Sequence, residues 1–279
     1  MDINILSVLV GLVLLGATSG VLGAFALLRR KALLSDTLAH AALPGICLAY
    51  LMGGKQLGWL LAGAFISGML GVWAVSVIMH RSRLNEDAAL ALTLSVFFGF
   101  GIVLLTGIQR WGDGHQSGLD RFLFGQAAAI LPHEVVYLAL ACMLILMVVG
   151  VLFKELTLLC FDRDYARAIG LPVRWLDALL MGLIALIVVL GLQSAGALLM
   201  VALMITPAAA ARLCTHRLNL MVGLAALFGM LAAAGGVLTS AVYGRLPTGP
   251  VMVLIASALF AGAFLFRYTL GGERRWQRP

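Results

Sequence analysis

The chain has 279 residues, of which 62% are hydrophobic and only 11% charged, and its mean hydropathy is +1.07. One water-soluble core of this size cannot bury so much apolar surface. The composition therefore predicts an all-α, polytopic helical membrane protein and argues against a soluble protein. No charged stretch is longer than a loop, so residues 1–279 are expected to form a single membrane domain.

The lysines and arginines give a formal net charge of +7, but they are not spread as a nucleic-acid-binding surface would require. Most fall in five clusters, at Arg29–Lys31, Arg81–Arg83, Lys154–Arg174, Arg212–Arg217 and Arg267–Arg278. Basic-rich connections alternate with basic-poor ones, which is the positive-inside pattern of helical membrane proteins. The charge therefore indicates orientation, with the N-terminus outside and the C-terminus cytoplasmic, and no nucleic-acid partner.

Apolar runs long enough to cross a hydrocarbon core of about 30 Å recur along the chain. They are Ile3–Leu28, Ala32–Met52, Leu57–Met79, Ala88–Ile108, Val135–Phe153, Ala178–Ala211, Leu218–Tyr243 and Leu246–Phe266. The first is too long for a signal-peptide core and is expected to be a retained span. Ala178–Ala211 is too long for one span, and we split it at Gln193–Gly196. This predicts nine spans, or eight if one half is re-entrant.

The second run carries two ionisable side chains, Asp36 and His40, four residues apart. Four residues are about one helical turn, so both side chains are expected on one face. An ionisable group at membrane depth costs about 2.5–3.5 kcal/mol on insertion scales, so the pair needs a partner or a function. We interpret it as a point through which a transition-metal ion passes. Alternatively, the two side chains bond to each other and to backbone released by Pro44, and brace the span.

The metal hypothesis implies a second subunit. One aspartate and one histidine are too few ligands for a divalent ion, whereas a twofold axis along a pore would bring two of each together. Two carboxylates and two neutral imidazoles would neutralise the ion, and mixed nitrogen and oxygen ligands suit manganese, zinc or ferrous iron. The ion would be transported cargo, so no permanently bound cofactor is expected.

The outer connection, residues 109–134, holds further possible metal ligands. They are Asp113, His115, His133 and Glu134. Water already solvates these positions, so we favour a short interfacial helix at Asp120–Phe124 that docks a partner or closes the pore. The ligand interpretation stays as the alternative.

Four cysteines are present, and none of them has metal-binding spacing. They are Cys47, Cys142, Cys160 and Cys214. We expect all four to be reduced residues of the helix packing. Cys47 is a partial exception, because it follows His40 by seven residues and would lie on about the same helical face, where a soft thiol could meet a metal path.

The inner connection, Lys154–Arg174, has the signals of a short polar helix. Asp162 and Asp164 stand where such a helix would begin, and Gly170 followed by Pro172 where it would end. The helix is either a plain connector or a lever on which a cytoplasmic motor acts.

Seven sequence blocks resemble the permease subunits of ATP-driven zinc, manganese and iron importers. In order, they are Arg30–Gly45 with its Asp36-x-x-x-His40 signature, Glu86-Asp87, Leu119–Gly125, Phe161–Pro172, Leu192–Gly196, Ile205–Ala209 and Leu246–Pro250. The resemblance implies a fold similar to type II ABC importers, in a bacterial plasma membrane. It also implies three partners: a second permease as homodimer or sister chain, cytoplasmic ATP-binding subunits, and an extracytoplasmic metal-binding protein.

Particular residues take roles from this resemblance. Asp36 and His40 correspond to transmembrane metal ligands, and Ala166 and Gly170, in the helix that begins after Asp162, correspond to the loop that couples the permease to its motor. Ser35 and Thr37 stand where the family often has smaller residues. We attach no functional consequence to that difference.

No residue set has the pattern of a catalytic site. Gly53-Gly54-Lys55-Gln56 lacks the hydroxyl and the leading glycine of a phosphate-binding loop, so ATP hydrolysis would fall to a separate subunit. Two other functions remain as alternatives. A proton-coupled secondary metal carrier would use Asp36 and His40 as a relay, but no inverted repeat supports it. A membrane-embedded metallohydrolase would need ionisable groups from several spans.

Overall fold

A computed structural model of the chain describes residues 3–31, 33–54, 56–111, 132–243 and 246–270. These residues form helices joined by short connections, and no strand occurs among them. The helices are α1 (Ile3–Leu28), α2 (Leu34–Gly53), α3 (Leu57–Arg81), α4 (Glu86–Trp111), α5 (Pro132–Val151), α6 (Phe153–Phe161), α7 (Arg163–Ala168), α8 (Val173–Ala195), α9 (Ala197–Cys214), α10 (Leu218–Tyr243) and α11 (Thr248–Leu270). The all-helical prediction is confirmed for this part of the chain.

Eight of these helices are long and apolar enough to cross a membrane, namely α1 to α5, α8, α10 and α11. The chain is thus a multi-pass membrane protein, as its composition predicts. The remaining long helix, α9, has 18 residues and is apolar but shorter. At 1.5 Å per residue it spans about 27 Å, just under the thickness of a hydrocarbon core.

The predicted break in the long apolar run separates α8 from α9. Gly196 takes a φ of 83°, a left-handed conformation that suits glycine and reverses the chain. Just before it, the Ser194 hydroxyl donates to the Gly191 carbonyl at 3.2 Å and covers a backbone group near the helix end. The returning helix packs Met200 directly against Gly191. Two antiparallel helices therefore replace one overlong span.

The centre of the molecule is α1, packed against α10 through small residues. A Cβ atom at Gly16 would overlap the carbonyl of Gly229, and one at Gly20 would overlap that of Ala225. The residue numbers rise along α1 as they fall along α10, so the two helices are antiparallel. Small residues let helix backbones approach closely where no water drives association. This contact holds the middle of the helix bundle together.

Helix α2 is held from two sides, by α3 and α4. The backbones of α2 and α3 touch at Gly45 and Gly63, and the Ser67 hydroxyl donates to the Ala41 carbonyl at 2.6 Å. On the other side, Leu43 of α2 lies against the backbone of α4 at Gly101. Pro44 is accommodated inside α2 without ending it. These contacts fix the rotation of α2 about its axis and hence the direction of its polar residues.

Candidate metal site and coupling helix

Asp36 and His40 occupy the first two turns of α2. At 1.5 Å per residue they lie roughly 3 and 9 Å along the helix from its first residue. The pair is thus near the end of α2 that follows the basic segment Arg29–Lys31, which the positive-inside pattern assigns to the cytoplasm. The site lies in the inner part of the span and not at its midpoint.

The turn between α1 and α2 determines where α2 begins. The Lys31 amide donates to the Ala26 carbonyl at 2.8 Å, and the Arg30 amide donates to the Leu27 carbonyl at 3.0 Å. Arg30 takes a φ of 58° between these bonds, in the position where such helix ends usually have glycine. Helix α1 therefore ends in a tight turn, although arginine is unfavourable in the left-handed conformation that Arg30 adopts.

The two side chains of the candidate site contact each other across one helical turn. His40 Nε2 lies 3.4 Å from Asp36 Oδ1, as expected for residues on a shared face. The His40 ring packs edge-to-face on Phe98 of α4, with ring centroids 4.7 Å apart. Even so, 25% of the His40 side chain and 36% of the Asp36 side chain are exposed. The pair is held in place and still open to a third species.

By itself the Asp36–His40 pair is not a complete ligand set for a metal ion. Among the residues that the structure describes, no group of three or more His, Cys, Asp or Glu side chains is placed to hold a metal ion. A zinc-like ion takes about four ligands, so Asp36 and His40 need further ligands from elsewhere. As a brace the pair would contribute little, because partly exposed ion pairs stabilise by about 0–1 kcal/mol.

A second ionisable cluster, centred on Asp177 of α8, lies at the cytoplasmic end. Asp177 Oδ1 is 2.7 Å from Arg29 Nη1, and Asp177 Oδ2 is 3.2 Å from Arg163 Nη2. The Lys31 ammonium lies 3.9 Å from both Asp177 and Glu86. Burial lowers the pKa of Lys31, and the nearby Asp177 carboxylate opposes that shift. The cluster joins the end of α1, the start of α4, α7 and α8.

The Arg29–Asp177 contact at the middle of this cluster is an ion pair without good hydrogen-bond alignment. Both contacting atoms are buried, and neither makes a hydrogen bond of acceptable geometry despite their 2.7 Å separation. Only 8% of the Arg29 side chain is exposed. Removal of Asp177 would leave that guanidinium largely out of water, which is costly for a charge.

The short polar helix predicted in the inner connection is α7, and its ends follow the expected signals. The Asp162 carboxylate accepts a hydrogen bond from the Tyr165 amide at 2.8 Å, as an N-cap does. At the other end, the Leu171 amide donates to the Ala166 carbonyl at 3.0 Å across Gly170, whose φ is 84°. Gly170 thus closes α7 in a left-handed conformation that any side chain would strain.

The inner connection contains a second helix, α6, which the sequence analysis did not predict. It follows α5 almost directly, and its Leu156 and Leu159 are buried. At its start Phe153 packs edge-to-face on Phe25 of α1, with ring centroids 5.9 Å apart. Leucines three residues apart beside Lys154 and Glu155 are the amphipathic signal that could have revealed it.

Ala166 of α7 is fully buried, so a larger side chain there would displace α7.

The other candidate ligands are dispersed. Cys47 is fully buried, with its thiol 3.8 Å from the Gly101 carbonyl, and all four cysteines are free. His133 packs against Tyr137 and, with Glu134, lines a cavity of about 450 Å³ between α3, α5 and α8. Asp113, His115 and the segment Asp120–Phe124 lie outside the described residues.

Comparisons with known proteins agree with this architecture. A model of the family described as "ABC 3 transport family" matches residues 1–267. The chain belongs to the ABC 3 transport family. It is therefore a multi-pass protein of the bacterial cell membrane, with the type of fold found in ABC permeases.

Three relatives place the chain within this family. It is 47% identical over 254 residues to the "manganese transport system membrane protein MntC" of Bacillus subtilis, covering 91% of this chain and 58% of that protein. It is 39% identical to the "zinc transport system membrane protein TroC" of Treponema pallidum, covering 98% and 91%. The solved structure of PsaBC from Streptococcus pneumoniae, in complex with an antibody fragment, matches with a TM-score of 0.83 and 30% identity, covering 95% and 92%.

Sequence reasoning missed Asp177, the centre of the ion-pair cluster in this ABC 3 member. A carboxylate one turn inside an apolar span needs a partner, and that rule could have singled it out. Its partners Arg29 and Arg163 are far apart in sequence, so their identity needed the structure.

Proposed function

We propose that this chain is the permease subunit of an ATP-driven importer of divalent transition-metal ions, and that the ion passes between two copies of the Asp36–His40 pair. The observation that carries the proposal is the geometry of that pair. It is oriented by Phe98, partly exposed, and incomplete as a ligand set in one chain. Relatives named for manganese and zinc transport support the class of cargo.

The chemistry of a doubled site suits transport. Two Asp36 carboxylates and two neutral His40 imidazoles would carry a charge of about −2, which offsets the charge of a divalent cation in a low-dielectric setting. Nitrogen and oxygen ligands together accept manganese, zinc and ferrous iron. Each chain leaves its ligands partly open, so affinity would stay moderate and the ion could leave.

Motion would reach this site through the inner connection, residues 154–174. Asp162, Ala166 and Gly170 shape α7 as a rigid lever, and we assign α7 to contact with a cytoplasmic ATP-binding subunit. Arg163, at the start of α7, binds Asp177, which also binds Arg29 at the end of α1. Since α2 begins a few residues after Arg29, a displacement of α7 would be transmitted to the helix that holds Asp36 and His40.

The Asp36→Asn substitution tests the proposal in vesicles that contain the permease, its ATP-binding subunits and the metal-binding protein. It keeps the side-chain shape and removes the charge, so manganese or zinc uptake should fall on the order of 100-fold, since the loss of a residue that merely supports a metal ligand already costs about 10–100-fold. ATP hydrolysis should stay within about twofold, because α7 is untouched. Uptake by Asp36→Asn equal to wild type would refute the assignment.

Asp87→Asn is the matched control, because Asp87 is an exposed carboxylate in the first turn of α4. It should import normally. A further arm omits the ATP-binding subunits and imposes a pH gradient. Uptake under those conditions would favour the proton-coupled carrier over the ATP-driven importer.

A further inference from the structure

A groove between α3 and α8 opens at the cytoplasmic end of the bundle. It encloses a cavity of about 590 Å³ and is separate from the Asp36–His40 pair. Its walls are apolar where the helices run into the membrane, with Met69 and Trp73 on α3 and Met181 on α8. Its cytoplasmic rim has an excess of basic side chains, with Lys31, Arg163, Arg167 and Arg174 beside the carboxylates Glu86 and Asp177.

Among the described residues, one cation of the rim makes no ion pair with a carboxylate. Arg163 is bound by Asp177, Lys31 lies between Asp177 and Glu86, and Arg167 pairs with Asp164 at 3.3 Å. Arg174 is exposed and has no ion pair within the described residues. It stands on α8 one turn before Asp177 and lines the groove. The rim therefore offers a free positive charge to an anion.

The depth of the apolar walls limits what can fill the groove. From His80 at the rim to Met69 is eleven residues of α3, or roughly 16 Å at 1.5 Å per residue. Trp73 lies within this stretch and is 65% exposed, although it is on a membrane-spanning helix. A soluble cytoplasmic subunit cannot reach half-way into a hydrocarbon core of about 30 Å. A lipid acyl chain can.

We propose that this groove binds an anionic phospholipid of the inner leaflet, with the phosphate at Arg174 and an acyl chain along Met69, Trp73 and Met181. Basic pockets between membrane helices on the cytoplasmic side are suited to such headgroups, and arginine binds phosphate oxygens with two parallel hydrogen bonds. The bound lipid would lie beside Asp177 and α7. The proposal does not depend on the assignment of the metal site.

The test is lipid binding to the permease assembled with its ATP-binding subunits, measured by native mass spectrometry after delipidation. Dioleoyl phosphatidylglycerol should bind at least about tenfold more tightly than dioleoyl phosphatidylcholine, because the first carries a net negative charge and the second is zwitterionic with no net charge. Arg174→Gln should weaken the phosphatidylglycerol complex about fivefold, as expected for one basic side chain at a membrane surface. The matched control is Arg217→Gln, an exposed arginine at the start of α10 that does not line the groove, and it should change nothing.

Two further arms separate lipid from other occupants. Ala178→Trp fills the groove from an exposed position on α8 and should weaken both lipids, because it blocks the acyl chain. Glycerol phosphate, offered at the same concentration, should displace neither. Four results would each overturn the proposal. The first two are equal affinity for the two lipids and equal effects of Arg174→Gln and Arg217→Gln. The other two are displacement of the lipid by glycerol phosphate and loss of lipid binding when the ATP-binding subunits or a second permease are present.

Discussion

The Asp36–His40 pair and the Asp177 cluster both place charged side chains next to membrane helices, but they are built in opposite ways. The pair lies on one helix, with a 3.4 Å contact and about a quarter to a third of each side chain exposed. The cluster joins four parts of the chain around a carboxylate that is 19% exposed and 2.7 Å from an almost buried arginine. The Asp177 carboxylate is paired with cations of its own chain, whereas Asp36 and His40 have exposed atoms that can still bind a further partner. The difference separates an internal ionic connection from a pair whose exposed atoms can accept a further partner.

The largest effect on stability is expected from Asp177→Asn. It leaves the Arg29 guanidinium without its carboxylate in a site where only 8% of the side chain is exposed. The free energy of unfolding should fall by about 2–3 kcal/mol, below the 3–5 kcal/mol typical of a fully buried pair because Asp177 is partly hydrated. Thermal unfolding of the purified permease in detergent measures it.

Asp164→Asn is the matched control for that substitution. Asp164 also pairs with an arginine, at 3.3 Å, but its side chain is 92% exposed. Its loss should change stability by less than about 0.5 kcal/mol. If both variants lose the same stability, burial does not distinguish the Arg29–Asp177 ion pair from the Arg167–Asp164 ion pair.

Gly170→Val should change the structure at the end of α7 and leave the Asp36–His40 pair unchanged. At a φ of 84° a β-branched residue is strained by about 1–2 kcal/mol, which should displace the end of α7. ATP-driven uptake should fall while equilibrium metal binding is retained. Gly182→Ala, at a helical glycine with open space around it, is the control. Full ATP-driven uptake by Gly170→Val would count against α7 as the lever.

The smallest effect is expected from Phe98→Leu, which tests whether the ring contact positions His40 in the Asp36–His40 pair. The edge-to-face contact with His40 is worth about 1 kcal/mol, so its loss should weaken metal binding roughly fivefold. Isothermal titration of the assembled importer with manganese measures the change. An unaltered affinity would show that the ring contact does not position His40.

Local features of this protein could be predicted from the sequence because they depend on neighbours in the chain. The four-residue spacing fixes Asp36 and His40 on one face, Asp162 caps α7, and the chain turns at Gly170 and Gly196. Each follows from helix periodicity or from the conformations that one residue type prefers.

Features that depend on contacts between distant segments could not be predicted. The Asp177 cluster needs Arg29, Lys31 and Arg163 to meet, and only the packed bundle brings them together. Helix α6 was missed because its nine residues follow the preceding span almost directly, and so few residues are hard to separate from that apolar run. The left-handed conformation of Arg30 could not be predicted either, because arginine is rarely found in that conformation.

The most direct test of the central claim is the stoichiometry of metal bound by the purified importer, measured by equilibrium dialysis and elemental analysis with the extracytoplasmic protein removed. The wild type should retain about one manganese or zinc ion per two permease chains, because a twofold axis joins two half-sites. Asp36→Asn and His40→Gln should each abolish this binding, and Asp87→Asn should keep it. Retention of the ion by both Asp36→Asn and His40→Gln would contradict the account.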